Sequence, residues 1–193
     1  MPTAQIMYPC MQCADIFHLK ADICQLGMDQ RKVNMLAREY CDIKQKKFKP
    51  VILSHHMLLG LKEGQAKMSK SDPESAIFME DTEASVNLKI KKAFCPPKII
   101  QDNPCFDYIK YLVFPKFGQI TVKRSEDFGG DKTYTTYDEI ESNYIAGDLH
   151  PNDVKPALAK AINEMIASVR AHFETNEEAK KLLKIIKSYK VAA

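Results

Sequence analysis

Four short groups of residues in this chain have the types and spacing to do chemistry. Lys67-Met68-Ser69-Lys70-Ser71 puts two ammonium groups and two hydroxyls into five positions. Such a run can meet a polyanion, and it is also what a solvated basic loop looks like. Tyr8, Gln12 and Asp15 fall at i, i+4 and i+7, so a helix projects all three from one face, as a polar cradle or as an ordinary exposed stripe. Phe128-Gly129-Gly130-Asp131 reads as a turn, and Leu149-His150-Pro151-x-Asp153-x-Lys155 offers an imidazole and a carboxylate beside a helix start. Two further groups carry less. Cys10-Met11-Gln12-Cys13 is a lone C-x-x-C without a second pair, and His55 and His56 are adjacent on an extended segment, so they point apart. The C-x-x-C has no histidine nearby at zinc-finger spacing and the histidines have no carboxylate cluster beside them, and the six cysteines show no disulfide framework, so reduced thiols and no bound protein metal are expected.

The elements that must hold these groups follow from periodicity. Tyr8 to about Lys20 reads as a helix with Met11, Ala14 and Leu19 available for packing, and Ala21 to Leu26 as a strand ending at Gly27. Asp29 is a fitting cap for a helix to Tyr40, since Val33, Leu36, Ala37 and Tyr40 recur at i, i+3, i+4 and i+7. Val51-Ile52-Leu53 is a second strand, and helix, strand, helix, strand predicts the parallel sheet of an α/β domain. The pattern then fails from Ser54 to Pro73, where Gly60, Gly64 and a polar run predict a long exposed loop carrying Lys67 to Ser71. Beyond Glu80 the chain turns helical: about 82–94, 104–114, a capping-box start at Thr136 ending at Gly147, 153–173, and 177–189. A short strand is expected over 119–123. In the 153–173 helix, Val154, Leu158, Ile162, Met165 and Val169 share a face, and Pro156 fits only in the first turn. The expected organisation is therefore an α/β domain over 1–53, a loop and linker over 54–81, and a helical domain over 82–193.

Composition narrows the class without choosing within it. The net charge of +3 is too small to prove a nucleic-acid partner, and the lysine clusters at 44–49, 89–92 and 180–190 are merely compatible with one. No apolar run approaches the roughly 18 residues of a membrane span, and Met1 to Tyr8 lacks the form of a signal peptide. A cytoplasmic protein with no membrane partner is expected.

Lys67 to Ser71 matches, letter for letter, the KMSKS motif of class I aminoacyl-tRNA synthetases, and it lies after an α/β unit and before a helical one, where that family carries it. Tyr8-x-x-x-Gln12-x-x-Asp15 followed by Gly27-x-Asp29-Gln30-Arg31 resembles the tyrosine-binding helix and following loop of tyrosyl-tRNA synthetases. The segments at Phe128 and at His150 resemble the anticodon-reading elements of the archaeal and eukaryotic cytosolic branch. The resemblance implies that Asp15 accepts the phenol hydroxyl of tyrosine, and that Tyr8, Gln12 and Gln30 hold its amino-acid end. Asp29 would bind the ATP ribose, Gly27 would admit the nucleotide, and Lys67, Met68, Ser69, Lys70 and Ser71 would act on ATP. Lys67 and Lys70 are the implied pyrophosphate contacts, meeting charge that develops in the transition state. Phe128 and His150 would stack on a splayed-out guanine whose edge donates to Asp153.

The same resemblance implies the second half of a Rossmann-like catalytic domain followed by a helical anticodon-binding domain, with ATP and Mg2+ as a substrate complex, and tyrosine and tRNA-Tyr as partners. It implies a homodimer when full length. Leu26 precedes Gly27 where the family often has a second glycine, and no HIGH-type signature is present. The expectation is an incomplete chain, inactive alone. The alternatives are a catalytically dead RNA-binding fragment or paralogue and, from the neighbouring family, a tryptophanyl-tRNA synthetase.

Overall fold

A computed structural model describes residues 2–69 and 72–189. Helix α1 (Thr3–His18), strand β1 (Ile23–Gly27), helix α2 (Arg31–Ile43) and strand β2 (Val51–His55) make a first compact unit over Met1–Met57. The strands pair in parallel, from Ile23 opposite Val51 to Gly27 opposite His55, as the helix–strand alternation predicts.

Details of this unit differ from the periodic reading. Helix α1 begins at Thr3, five residues early, on an extended Pro2, and carries Pro9 inside it. Its buried face is Cys13 and Ile16 with half-buried Phe17, whereas Met11 and Leu19 are 62% and 74% exposed. The i, i+3, i+4 set 13, 16, 17 meets Cys24 and Ala37, so small sulfur and methyl groups make this contact. A 3-10 turn, Met28–Gln30, precedes α2 and puts Gln30 rather than Asp29 at the capping position. Helix α2 buries Asn34, Ala37 and Cys41, leaving Leu36 and Tyr40 each 39% exposed. Arg38 Nη1 donates to Pro50 O at 2.6 Å and ties α2 to the approach to β2.

The second unit starts at Leu58, so most of the segment expected as loop and linker falls within it. Its first residues are not simply exposed: Leu61 is 1% exposed in the core, its carbonyl accepts from Phe94 N at 2.7 Å, and Tyr108 Oη donates to Leu59 O at 2.8 Å. Helix α3 (Glu83–Lys92) is capped by Thr82, whose hydroxyl accepts from Ser85 N at 3.2 Å. The helix expected over 104–114 is instead α4 (Pro104–Tyr108), a π turn (Ile109–Val113) and α5 (Phe114–Phe117). Pro115 lacks an N–H and its ring crowds the carbonyl four residues back, which favours the wider turn before it.

Strands β3 (Ile120–Val122) and β4 (Lys132–Tyr134) form an antiparallel hairpin, followed by α6 (Tyr137–Ala146), α7 (Pro151–Thr175) and α8 (Glu177–Ser188). Helix α7 starts at Pro151, two residues before the expected point, because proline's fixed φ suits the first helical position. Pro156 consequently lies beyond the first turn, inside the helix. The expected apolar face holds through Val154, Leu158 and Ile162, which pack with Val86 and Ile90 of α3.

Candidate functional site

Helix α1 presents Tyr8, Gln12 and Asp15 from one face. Tyr8 and Asp15 are exposed, and Gln12 is half-buried. Gln12 Oε1 is closed off from solvent and has no hydrogen-bond partner in the protein. An acceptor left this way costs about 1–3 kcal/mol, so a donor brought by a ligand finds it ready.

At the end of β1, a Cβ on Gly27 would collide with Met57 Sδ and lie 2.9 Å from Asp29 Oδ1. Its φ is −64°, so the bare backbone itself is used here, not left-handed freedom. The Met28–Gln30 turn thus draws the Asp29 carboxylate onto Gly27, with Gln30 half-buried beside them in sequence. Two buried polar groups were not singled out from sequence: Asn34, 0% exposed with neither amide atom partnered, and Ser54, whose Oγ is also unpartnered. Asn34 shares the i, i+3, i+7 face of Ala37 and Cys41, the one signal that marks it.

In the second unit, Lys67 is exposed while Met68 packs against the core. Ser69 N donates to Ser75 Oγ at 3.3 Å, and Ser75 Oγ donates to Asp72 O at 2.7 Å. Lys70 and Ser71 lie outside the described residues. Lys62 Nζ sits 2.6 and 2.8 Å from the Asp72 carboxylate oxygens, and this ammonium holds the Asp72 carboxyl below the usual range. Gly60 N donates to Gln65 O at 3.0 Å. The lysine-bearing loop is therefore stapled at its base, by Lys62 and Asp72 among others, a pair that spacing alone did not mark.

The hairpin and the start of α7 hold the third group. Phe128 ends a 3-10 turn, Glu126–Phe128, and is 74% exposed; Gly129 and Gly130 follow with φ of 88° and 69°. His150 caps α7: its Nδ1 accepts from Asn152 N at 3.2 Å, while its own N–H donates to Asp153 Oδ2 at 2.9 Å. Leu149 and Pro151, both buried, clamp His150 between them along the chain. Arg124, unmarked in the sequence, donates from Nε to Gly130 O at 3.3 Å and from Nη1 to Asp148 O at 2.8 Å, so it joins the two segments.

Among the described residues no three His, Cys, Asp or Glu side chains group to hold a metal, and no helix is long and apolar enough to cross a membrane.

Comparison with known proteins places the chain in a family. The family model described as class I tRNA synthetases (W and Y) matches residues 1–167. Tyrosine–tRNA ligase 1, cytoplasmic, of Arabidopsis thaliana is 62% identical over 99% of this chain and 50% of its own length. Among solved structures, Leishmania major tyrosyl-tRNA synthetase in complex with tyrosinol is 49% identical with a TM-score of 0.84, covering 98% of this chain and 30% of that one. Pyrococcus horikoshii tyrosyl-tRNA synthetase complexed with L-tyrosine is 36% identical with a TM-score of 0.85, covering 95% of this chain and 56% of that one. The chain thus spans about half the length of the curated relatives it matches.

Proposed function

The chain belongs to the tyrosyl-tRNA synthetases of class I, and from that premise we propose that it supplies the tyrosine-binding helix, the phosphate-handling loop and the anticodon-reading elements of a tyrosine–tRNA ligase. In that reaction the tyrosine carboxylate attacks the α-phosphorus of ATP and pyrophosphate leaves, giving tyrosyl-adenylate; a hydroxyl of the terminal ribose of tRNA-Tyr then takes the tyrosyl group and AMP leaves. The observation that carries the reading is the α1 face, where Gln12 Oε1 is a buried acceptor without a protein donor. The α-ammonium of tyrosine is a donor that fits it, with Tyr8 and Gln30 completing that end of the substrate. Asp15 takes the phenol hydroxyl, so phenylalanine would leave a carboxylate unpaired.

Asp29 receives the ATP ribose beside Gly27, whose bare backbone leaves room once the flexible Met57 side chain swings away. ATP enters with Mg2+ on its phosphates. Lys67 and Lys70 meet the leaving pyrophosphate, and Met68, Ser69 and Ser71 bind ATP with them. Phe128, His150 and Asp153 read the first anticodon base. Asp153 Oδ2 is held by its cap, and its other oxygen is the acceptor for a guanine edge. The first unit acts as the second part of a Rossmann-like domain and the helical unit as the anticodon-binding domain. The whole enzyme works in the cytoplasm as a homodimer.

The test is tyrosine-dependent ATP–pyrophosphate exchange on a protein of the relatives' full length that carries this chain. Asp15→Ala should lower kcat/KM for tyrosine by about 10²-fold or more and narrow its advantage over phenylalanine. An unchanged ratio between the two amino acids would remove Asp15 from the site. Binding of an anticodon stem-loop without any exchange would make the protein an RNA-binding relative rather than a ligase.

A further inference from the structure

The hairpin tip and the cap of α7 are separate chain segments, and the Arg124 side chain bridges them. The loop from Lys123 to Asp131 joins β3 to β4 and carries Phe128 near its tip, with two left-handed glycines behind it. The loop folds on itself, with Phe128 N and Gly130 N both donating to Ser125 O at 3.0 Å, but these bonds do not fix where it stands against α7. Arg124 N donates to Asp131 Oδ1 at 3.1 Å, and Lys123 Nζ lies 2.8 Å from Asp131 Oδ2, so Asp131 closes the loop at its neck. The Arg124 guanidinium then reaches outward on two sides. Its Nε bonds the Gly130 carbonyl within the loop, and its Nη1 bonds the carbonyl of Asp148, two residues before His150. Gly129 has a φ of 88°, which favours glycine there, and a Cβ on it would meet Nη2 at an ordinary contact distance of 3.6 Å, so the guanidinium lies alongside the turn.

We propose that Arg124 is a positioning residue for anticodon recognition: its planar fork fixes the distance between the Phe128 turn and the His150–Asp153 cap, and so sets the width of the slot that takes the first anticodon base. The proposal rests on the anticodon role given above to Phe128, His150 and Asp153. Both carbonyls are backbone groups, so the clamp fixes chain path directly and does not depend on neighbouring rotamers. A guanidinium can serve two carbonyls in different directions from one rigid plane, and a lysine ammonium on a flexible stem cannot hold the same fork. A slot of fixed width binds with less ordering cost than one assembled on contact, and it discriminates among bases by where the donors and acceptors fall.

The experiment uses the full chain and two anticodon stem-loop RNAs, identical except for guanine or adenine at the first anticodon position. Arg124→Ala should weaken binding of the guanine RNA by roughly ten-fold and shrink its preference over adenine. The slope of affinity against salt should stay as in the parent chain, because no phosphate contact has been removed. Arg124→Lys, which keeps the charge and is the safer variant for folding, should recover affinity in part but leave the base preference reduced. Phe128→Ala is the control for the underlying reading. If it leaves RNA affinity intact, the anticodon role itself fails and the clamp falls with it. If Phe128→Ala weakens binding while both Arg124 variants keep full affinity and preference, the clamp alone is overturned. A uniform loss for both RNAs with a slope shallower by about 0.7 would overturn it too, by making Arg124 a phosphate contact.

Discussion

Asn34 sits at 0% exposure with its carboxamide oxygen and nitrogen both unpartnered, beside Ala37 and Cys41 on the inner face of α2. A buried polar group in this state costs about 1–3 kcal/mol. Leucine has the same branched skeleton of side-chain heavy atoms and no polar atoms, and loss of the unpaired amide outweighs its larger volume, so Asn34→Leu should raise the stability of this chain by about 1 kcal/mol, read as a higher urea midpoint at unchanged slope. A lower midpoint would mean that the amide is satisfied, by ordered water, and that its removal loses real bonds. If the gain in stability comes with weaker tyrosine binding in a full-length protein, Asn34 joins Gln12 as a group held for the substrate. The contrast with Tyr8, Gln12 and Asp15 explains what was legible. Three polar residues at i, i+4 and i+7 announce a face, whereas one amide among Met35, Leu36 and Ala37 reads as a solvent-facing helix residue.

Helix α3 shows how an element can hold a loop it does not contain. Lys89, only 7% exposed, places Nζ 2.6 Å from Asp81 Oδ2 and 2.9 Å from Ala76 O, with the Phe78 ring beneath it at 4.8 Å. Asp81 Oδ2 also accepts from Phe78 N at 2.9 Å. The chain leaving the Lys67–Ser69 loop is thereby locked onto α3 through Ala76 and Asp81. Asp81→Asn should destabilise the chain by about 3 kcal/mol, since it strands a buried ammonium, while the double variant with Lys89→Met should cost clearly less than the single changes summed. Additive costs in urea denaturation would show that the two side chains act independently. Elements of this kind were readable where one period ran long, as in Val154, Leu158 and Ile162 of α7. They were not readable where a proline or a small-residue face broke the pattern. Pro115 converts an expected helix into a π turn, and Cys13 with Ile16 replaces the larger Met11 and Leu19 as the packed side of α1.

The two compact units differ in what supports them. The first buries one small cluster, Cys13, Ile16, Cys24 and Ala37, and its two-stranded sheet leaves Ile23, Val51 and Leu53 at 61%, 51% and 50% exposure. The second buries a continuous core from Leu61 to Ile166 that includes Phe106, Tyr108, Tyr134 and Tyr144, each at most 1% exposed. A fully buried aromatic or large aliphatic side chain contributes roughly 1.5–3 kcal/mol, whereas a two-stranded sheet with one thin helical layer is marginal in water. Residues 58–189 alone should therefore give a single cooperative thermal transition, and residues 1–57 alone should give none. In the whole chain, amides of β1 and β2 should exchange by local opening, while those of α3 and α7 should be protected up to global unfolding. Cooperative melting of 1–57 by itself, or equal protection in both sets of amides, would contradict this. The difference also separates two chemistries. The proposed anticodon-reading elements and their Arg124 bridge lie wholly in the unit with its own core, so stem-loop binding should survive in 58–189, whereas the proposed tyrosine-reading face of α1 depends on the unit with the least support of its own.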